Sequence, residues 1–221
     1  MVKKEYVLHI VDKLKRGIKS EIKKKNCEAA LELISNCANI LYQTNLYYVD
    51  EDLESYLKEI ANKIEILASI GKKTDVIFFY DGFGLNGRGL AQIYIKALCQ
   101  IKKIVYITYE DCKENIPDIQ NIINKNDGRI LYINRSQKKY TEQILQLCSF
   151  ASEFKPHDFF FYSFPNDVVG VTSLNIFEGK VTRYQINLTD HAFWLGARCI
   201  DKCIEFFSKF EDLVGLAIGS F

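Results

Sequence analysis

The sequence has no excess of charge of either sign, because 29 lysines and arginines stand against 28 aspartates and glutamates in 221 residues. Nucleic-acid-binding domains usually carry a strongly basic surface, so this balance gives no general reason to expect a nucleic-acid partner. The chain also lacks an apolar run long enough to cross a bilayer, and its first residues lack a signal-peptide pattern. These absences predict a cytoplasmic protein.

Metal-binding and disulfide patterns are missing as well. The seven cysteines form no Cys-x-x-Cys pair, and no histidines lie near them at zinc-ligand spacing. We expect reduced, mostly buried thiols. The segment from Asp50 to Asp52 superficially matches the D-x-D metal motif, but it opens a helical pattern in which Asp50 can cap the first turn. We therefore predict no metal site.

What the chain does contain, in its first part, is helical periodicity. Apolar residues recur at three- and four-residue spacing, in stripes that include Val7, Val11 and Ile18, then Ala30, Ile34 and Leu41, then Leu53, Leu57, Ile60 and Leu67. This pattern predicts a helical segment of about three helices over residues 1–72, with Gly71 as a stop for the last helix.

Lysines and arginines crowd the stretch from Lys3 to Lys25. Because Glu5, Asp12 and Glu21 interrupt the run, a solvated helix face is the favoured interpretation. The alternative is a weak contact with anionic lipid at the inner face of the membrane.

After residue 72 the pattern changes period. Short runs of β-branched and aromatic residues are typical of strands buried on both faces, and they occupy residues 76–80, 104–107, 130–133 and 159–162. Two further strands are expected near residues 181–188 and 202–207. Helical stretches near residues 90–101 and 140–154 separate the strands, as in a parallel sheet. Residues 73–221 are therefore predicted to form an α/β domain, with a Rossmann-like, mostly parallel sheet flanked by helices.

A glycine-rich turn follows the first predicted strand directly. Three glycines of the turn satisfy the G-x-G-x-x-G spacing between a strand and a helix. Glycine permits positive φ and lets a phosphate approach backbone amides at a helix N-terminus, where an arginine can add a bidentate contact. The turn predicts a phosphate-binding site formed by Gly82, Gly84, Asn86, Gly87, Arg88 and Gly89.

Neighbouring residues leave an alternative open for this turn. Asp81 and Phe83 lie where a dinucleotide fingerprint prefers small or apolar residues, and Glu110 comes slightly late for an acid that binds a ribose. In the alternative, the glycines only make a tight strand-to-helix turn, and Arg88 is exposed or paired with a carboxylate.

A second cluster of functional residue types follows a later predicted strand. Asp190, His191 and the single tryptophan, Trp194, lie within a few residues of one another. A histidine beside a carboxylate can act as a base or hold an acceptor hydroxyl, so Asp190 and His191 are candidate catalytic residues. The alternative is a histidine hydrogen-bonded in a turn, with Phe193 and Trp194 packed in the core.

Two segments together resemble the N-terminal domain of a bacterial glycosyltransferase of the two-domain GT-B type. They are Tyr80-Asp-Gly-Phe-Gly-Leu-Asn-Gly-Arg-Gly-Leu90 and Asn187-Leu-Thr-Asp-His-Ala-Phe-Trp-Leu-Gly196, and the resemblance extends from Asp75 to the C-terminus. In that family the N-terminal domain mainly holds the acceptor, and a C-terminal Rossmann-like domain binds the nucleotide sugar across a cleft. The resemblance implies that Gly82 to Gly89 border the donor diphosphate and that Asp190 and His191 line the acceptor side.

The implied reaction transfers a sugar from a nucleotide-sugar donor to a hydroxyl of a glycan, lipid-linked or protein acceptor. The donor is a substrate, and no resident cofactor is expected. Because the chain ends at Phe221, where the second domain would begin, we expect little activity unless that domain is supplied in cis or in trans. Two alternatives remain: a free-standing dinucleotide-binding domain, and a non-enzymatic interaction module in which the helical segment docks a partner.

Overall fold

The computed structural model describes residues 4–64, 74–86, 89–187, 192–204 and 218–219. The N-terminal part contains three helices, α1 Lys4–Lys23, α2 Cys27–Thr44 and α3 Glu51–Lys63. Asp50 caps α3, because one of its carboxylate oxygens accepts hydrogen bonds from the backbone N–H groups of Asp52 and Leu53, both at 3.1 Å. The three predicted helices and the capping role of Asp50 are confirmed, whereas Leu67 and Gly71 lie outside the described residues.

A seven-stranded sheet follows, and its strands are β1 Val76–Asp81, β2 Lys103–Tyr109, β3 Arg129–Ile133, β4 Asp158–Tyr162, β5 Thr182–Ile186, β6 Lys202–Ile204 and β7 Ile218–Gly219. The strand order is β3-β2-β1-β4-β5-β6-β7. Neighbours from β3 to β6 are parallel, and only the β6–β7 pair is antiparallel. The order 3-2-1-4-5-6 is that of a Rossmann-like sheet, so the predicted fold class is confirmed.

The connections between strands are mostly helical, with α4 Leu90–Cys99, a 3₁₀ helix Glu110–Asn115, α5 Pro117–Lys125, α6 Tyr140–Phe154 and α7 Val168–Ile176. Residues of one strand alternate between the two faces of the sheet. Ile77 and Phe79 of β1 join the core beneath α4 and α5, whereas Phe78 and Tyr80 join the core beneath α6 and α7. Both faces are therefore covered by helices, as parallel sheets require.

The N-terminal helices add a further layer outside α6 and α7. Helix α3 packs against α7, and α2 packs against α6. Buried residues of α1 to α3, such as Ile18, Leu41 and Leu57, belong to the same apolar cluster as Phe78 and Phe159 of the sheet. The helical segment and one face of the sheet thus share a continuous core.

All seven cysteines are free thiols, and five of them are buried, as predicted. Within the parts of the chain that the structure describes, no helix combines the length and the apolar character needed to span a bilayer.

Candidate functional site

The strand order reverses direction between β1 and β4. The chain leaves β1 towards β2 on one side, and it returns beyond β3 to β4 on the other side of β1. In such sheets a crevice opens at the carboxyl ends of the strands, and ligands bind there. A cavity of about 710 Å³ occupies this crevice, lined by residues that follow β1, β4 and β5, by α2 and by the segment around Trp194.

We call this the switch-point cavity, because it lies where the strand order reverses. All of its described lining residues are uncharged. Aromatic rings form much of the wall, namely Tyr42, Phe83, Tyr162, Phe164 and Trp194. Four side-chain amides also line it, namely Asn39, Asn166, Gln185 and Asn187. An apolar surface with a few directional polar groups is typical of a site for a small ligand, and here that ligand need not carry charge.

The aromatic wall is built around Phe83. Its ring centroid lies 4.4 Å from that of Phe164 and 5.0 Å from that of Tyr162. Leu85 and Phe164 are 50% and 40% exposed, unusually high values for apolar side chains of this size. The mouth of the cavity therefore presents apolar surface to the solvent, as ligand sites often do.

Both sequence motifs reach this cavity. Phe83 and Leu85 belong to the glycine-rich turn, and Asn187 and Trp194 belong to the second motif, on either side of residues 188–191, which lie outside the described residues. Four of the predicted site residues lie outside the described residues, namely Gly87, Arg88, Asp190 and His191. The structure thus brings the described flanks of the two motifs to one crevice, and the roles predicted for these four residues stay predictions.

The glycine-rich turn is held together by a buried carboxylate, that of Asp81. The Asp81 carboxylate accepts hydrogen bonds from the backbone N–H groups of Phe83 and Gly84, both at 2.9 Å, and from the Tyr106 hydroxyl at 2.7 Å. Burial raises the pKa of Asp81 to about 6, although these three hydrogen bonds act in the opposite direction. At neutral pH the carboxylate is therefore largely ionised, and it occupies two amides that a bound phosphate would otherwise use.

Steric packing explains why glycine is needed at two of the three described glycine positions of the turn. A Cβ atom at Gly82 would overlap the side chain of Ser163, and one at Gly84 would overlap Cys112. Gly84 also has φ of +57°. Gly89 is different, because it is the N-cap of α4 with φ of +67°, and a Cβ there would meet open space. The phosphate-binding role stays a prediction for all three, and of these only Gly89 lies at a helix N-terminus.

Asn86 joins the turn to α5. Its side-chain amide donates to the Asp118 carboxylate at 2.6 Å, and its carbonyl oxygen accepts from the backbone N–H of Ile119 at 3.3 Å. Gln92 of α4 donates to the backbone carbonyl of Asn86 at 2.5 Å. The described contacts of Asn86 thus hold the turn against two helices.

The segment that carries Trp194 is held by the N-terminal helical part. The backbone N–H of Trp194 donates to the carbonyl of Tyr48 at 3.2 Å. The buried Glu54 carboxylate accepts from the backbone N–H groups of Gly196 at 2.8 Å and Arg198 at 3.3 Å. The sequence pattern gave no indication of these contacts, because their partners lie more than 140 residues apart.

A buried hydrogen-bonded chain ends at the cavity. Tyr80 donates to Asp167 at 2.8 Å, so the Tyr109 hydroxyl, 2.7 Å from that of Tyr80, is the donor to Tyr80. Ser163, which lines the cavity, donates to the same oxygen of Asp167. Burial raises the pKa of the Asp167 carboxyl, while hydrogen bonds from Gly170, Ser163 and Tyr80 lower it. Of these hydrogen-bonded residues only Tyr80 lay in an element predicted from the sequence, at the end of the first strand.

Comparison with protein-family models, with curated proteins and with solved structures finds no match for this chain. The assignment of function therefore depends on the residues and on the geometry of the cavity.

Proposed function

We propose that the chain is the acceptor-side domain of a bacterial GT-B type glycosyltransferase. It would hold a hydroxyl-bearing glycan, lipid-linked or protein acceptor in the switch-point cavity. A donor-binding domain, in cis or in trans, would supply the nucleotide sugar. The acceptor hydroxyl would attack the anomeric carbon as the nucleoside diphosphate departs, and the domain alone would have little transferase activity.

The observation that carries the proposal is the uncharged, aromatic and amide-lined wall of the cavity. A sugar presents C–H faces that stack on rings such as Phe83 and Trp194, and hydroxyls that hydrogen-bond to amides. A phosphate would favour basic side chains, and none is found among the described lining residues. The cavity thus suits a neutral acceptor better than a nucleotide.

Residues of the two motifs receive roles within this proposal. Arg88 and backbone amides of the glycine turn would stabilise the departing diphosphate at the cleft between the two domains. His191, beside Asp190, would orient or deprotonate the acceptor hydroxyl. The reaction would take place in the cytoplasm, at the inner face of the membrane where the acceptor is lipid-linked.

The single tryptophan provides a direct test, since Trp194 lines the cavity and is the only tryptophan of the chain. Titration with neutral methyl glycosides should change the tryptophan emission saturably, and nicotinamide and flavin dinucleotides should not. The Trp194→Phe variant is the control, because it should lose the signal. With a donor-binding domain joined to the chain, His191→Ala should reduce sugar transfer, and unaltered turnover would remove His191 from the mechanism.

A dinucleotide-binding domain is the second candidate, favoured by one observation. Glu110 directly follows β2, at the carboxyl edge of the sheet where an acid could contact a ribose. Against this candidate, α4 begins only at Leu90, so Gly82 and Gly84 precede the helix by several residues. Micromolar binding of a dinucleotide, without a response to glycosides, would establish the second candidate and reject the first.

An interaction module without catalytic function is the third candidate. It predicts that neither glycosides nor nucleotides bind, and that the residues before Gly71 form a stable complex with another protein. Co-purification with the full chain would reveal that complex, because the N-terminal helices share a core with the sheet and cannot be removed without disturbing the fold.

A further inference from the structure

Helix α1 carries a basic surface along the second half of its exposed side. Its buried residues belong to the core shared with the sheet, and they are Val7, Val11, Ile18 and Ile22. At about 100° per residue, four basic residues fall on the opposite side, within an arc of about 120°. They are Lys13, Arg16, Lys19 and Lys23, all of them exposed. We call these four residues the α1 basic stripe, which is about 15 Å long.

The acidic residues that interrupt the basic run in the sequence do not neutralise the stripe. Glu21 lies outside the arc, and its carboxylate accepts hydrogen bonds from Lys24 at 2.7 Å and from Asn26 at 2.9 Å. Glu5 and Asp12 precede the stripe, in the first half of the helix. Within the described residues, no ion pair joins a residue of the stripe to a carboxylate.

Carboxylates of the neighbouring helices have other partners. Asp50 and Asp52, at the start of α3, both pair with Lys15, at 2.6 and 2.9 Å. Glu28 of α2 accepts hydrogen bonds from two backbone N–H groups at the start of α6, both at 2.9 Å. The other acidic residue of α2, Glu32, is exposed, and one carboxylate cannot balance four cations. The stripe is therefore a positively charged surface.

Helix α2 lies between α1 and the switch-point cavity. On one side it packs against α1, since a Cβ atom at Gly17 would lie 3.4 Å from Cδ1 of Leu33. On the other side, its residues Asn39 and Tyr42 line the cavity. The axes of packed helices are about 8–10 Å apart. The helix with the basic stripe is thus one helix width from the part of the cavity wall that α2 forms.

We propose that the α1 basic stripe docks the domain on a membrane surface that contains anionic phospholipids. Laterally mobile headgroups can gather beneath a short stripe of four cations, whereas the phosphates of a nucleic acid have fixed spacing. The contact is electrostatic and does not insert into the bilayer, because the apolar side of α1 is buried in the core. The choice of partner rests on the proposed function, since a lipid-linked acceptor would reach the cavity at such a surface.

The test is sedimentation of the full chain with vesicles of phosphatidylcholine, with and without about 30% phosphatidylserine. The wild-type chain should bind only the anionic vesicles. Raising the salt from about 0.1 M to about 1 M should release it, because the Debye length falls from about 10 Å to about 3 Å. The triple variant Arg16→Gln, Lys19→Gln and Lys23→Gln should bind roughly a hundredfold more weakly, about fivefold for each charge removed.

A second triple variant is the matched control. Lys96→Gln, Lys103→Gln and Lys125→Gln remove the same number of exposed positive charges from α4, β2 and α5, outside the N-terminal helices. This control should retain vesicle affinity within about threefold. Glutamine forms helices about as well as lysine and arginine, so both variants should keep the circular dichroism and unfolding temperature of the wild type. Equal loss of affinity in two folded variants would overturn the inference.

Failure of this inference can be distinguished from failure of the proposed function. Glycoside binding is measured by Trp194 emission in the absence of vesicles. If glycosides bind and anionic vesicles do not, the proposed function stands with a soluble acceptor, and this inference is overturned. If vesicles bind through the stripe and no glycoside binds, the proposed function fails and the membrane surface stands.

Nucleic acid is the other anionic partner that the experiment distinguishes. Single-stranded RNA and duplex DNA are titrated at the same salt concentration, and affinity is compared per phosphate. Nucleic acid should bind more weakly than the anionic vesicles. Tighter binding of either nucleic acid, lost in the variant of Arg16, Lys19 and Lys23, would overturn the assignment to a membrane.

Discussion

The carboxylate of Glu54 on α3 accepts a hydrogen bond from the backbone N–H of Gly196 at 2.8 Å, across 142 residues of sequence. Glu54 is only 4% exposed, and burial raises the pKa of its carboxyl while the backbone hydrogen bonds lower it. Through this contact an N-terminal helix positions the segment that places Trp194 in the cavity wall.

Replacing Glu54 by alanine should therefore disturb stability and binding together. We expect Glu54→Ala to lower the free energy of unfolding by about 2–4 kcal/mol, because the buried N–H of Gly196 and the partly buried N–H of Arg198 lose their acceptor. The wavelength of Trp194 emission should shift in the same variant. Glu54→Gln retains one acceptor oxygen and should lose less. Urea unfolding measures the first effect and fluorescence the second.

Glu51→Gln is the control for that experiment. Glu51 pairs with Arg198 of the same segment, but both side chains are 67% exposed. Its removal should leave the unfolding free energy nearly unchanged. Equal losses in Glu51→Gln and Glu54→Ala would show that the buried contact has no special importance.

The buried carboxyl of Asp81 in the glycine turn predicts that the free energy of unfolding depends on pH. The pKa of Asp81 is raised from 3.8 to about 6, so the folded state holds the proton more tightly than the unfolded chain. The contribution of Asp81 to the free energy of unfolding is therefore at its maximum below about pH 4, and it is lost as the pH rises through about 6. Two pKa units correspond to about 3 kcal/mol.

Asp81→Asn should abolish this contribution. Asparagine retains an acceptor for the backbone N–H groups of Phe83 and Gly84 but does not titrate. The difference between wild-type and Asp81→Asn unfolding free energies should therefore change between about pH 4 and 6 and be constant above about pH 7. A constant difference over the whole range would contradict a raised pKa at Asp81.

The two described glycines with positive φ in the turn should respond unequally to alanine. Gly84→Ala adds both backbone strain and an overlap with Cys112, and we expect a loss of about 3 kcal/mol or more. Gly89→Ala adds strain alone, since its Cβ would meet open space, and should lose about 1–2 kcal/mol. Thermal unfolding of the two variants tests the order. A larger loss at Gly89 would contradict the steric role assigned to Cys112 at Gly84.

The buried hydrogen-bonded chain should depend on the Tyr80 hydroxyl. Tyr80→Phe leaves Asp167 with one donor fewer and the Tyr109 hydroxyl without its acceptor, which should cost about 1–3 kcal/mol. Tyr132→Phe is the comparison, because among the described residues the Tyr132 hydroxyl has one long hydrogen bond, 3.4 Å from the Gln120 side-chain amide. Its loss should stay below about 0.5 kcal/mol. Equal losses of unfolding free energy in the two variants, measured by chemical denaturation, would argue against a stabilising role for the buried hydrogen-bonded chain.

The central part of the fold was predictable from local sequence. The run at residues 76–80 is solidly apolar, and it lies within β1, which is covered by helices on both faces. Helix α7 was not predicted, for the opposite reason. Residues from Val168 to Ile176 are buried nearly all round between the sheet and α3, so no polar stripe marks the helix.

Only those parts of the site that form short, contiguous sequence motifs could be predicted. The glycine turn and the Trp194 segment were identified from short patterns, and their described flanks meet at the cavity. The role of Asp81 was not foreseen, because its partner Tyr106 comes from the next strand. Gln185 was also missed, since a glutamine in a strand has no distinctive pattern until its place in the cavity wall is known.

The core shared by α1 to α3 and the sheet has a consequence for ligand binding. A ligand that binds the folded state stabilises every element that unfolds together with the cavity, by the same free energy. Because α3 packs on α7 and holds Gly196, occupancy of the cavity should slow amide hydrogen exchange in α3. Helix α3, none of whose residues lines the cavity, would then report the binding of an acceptor.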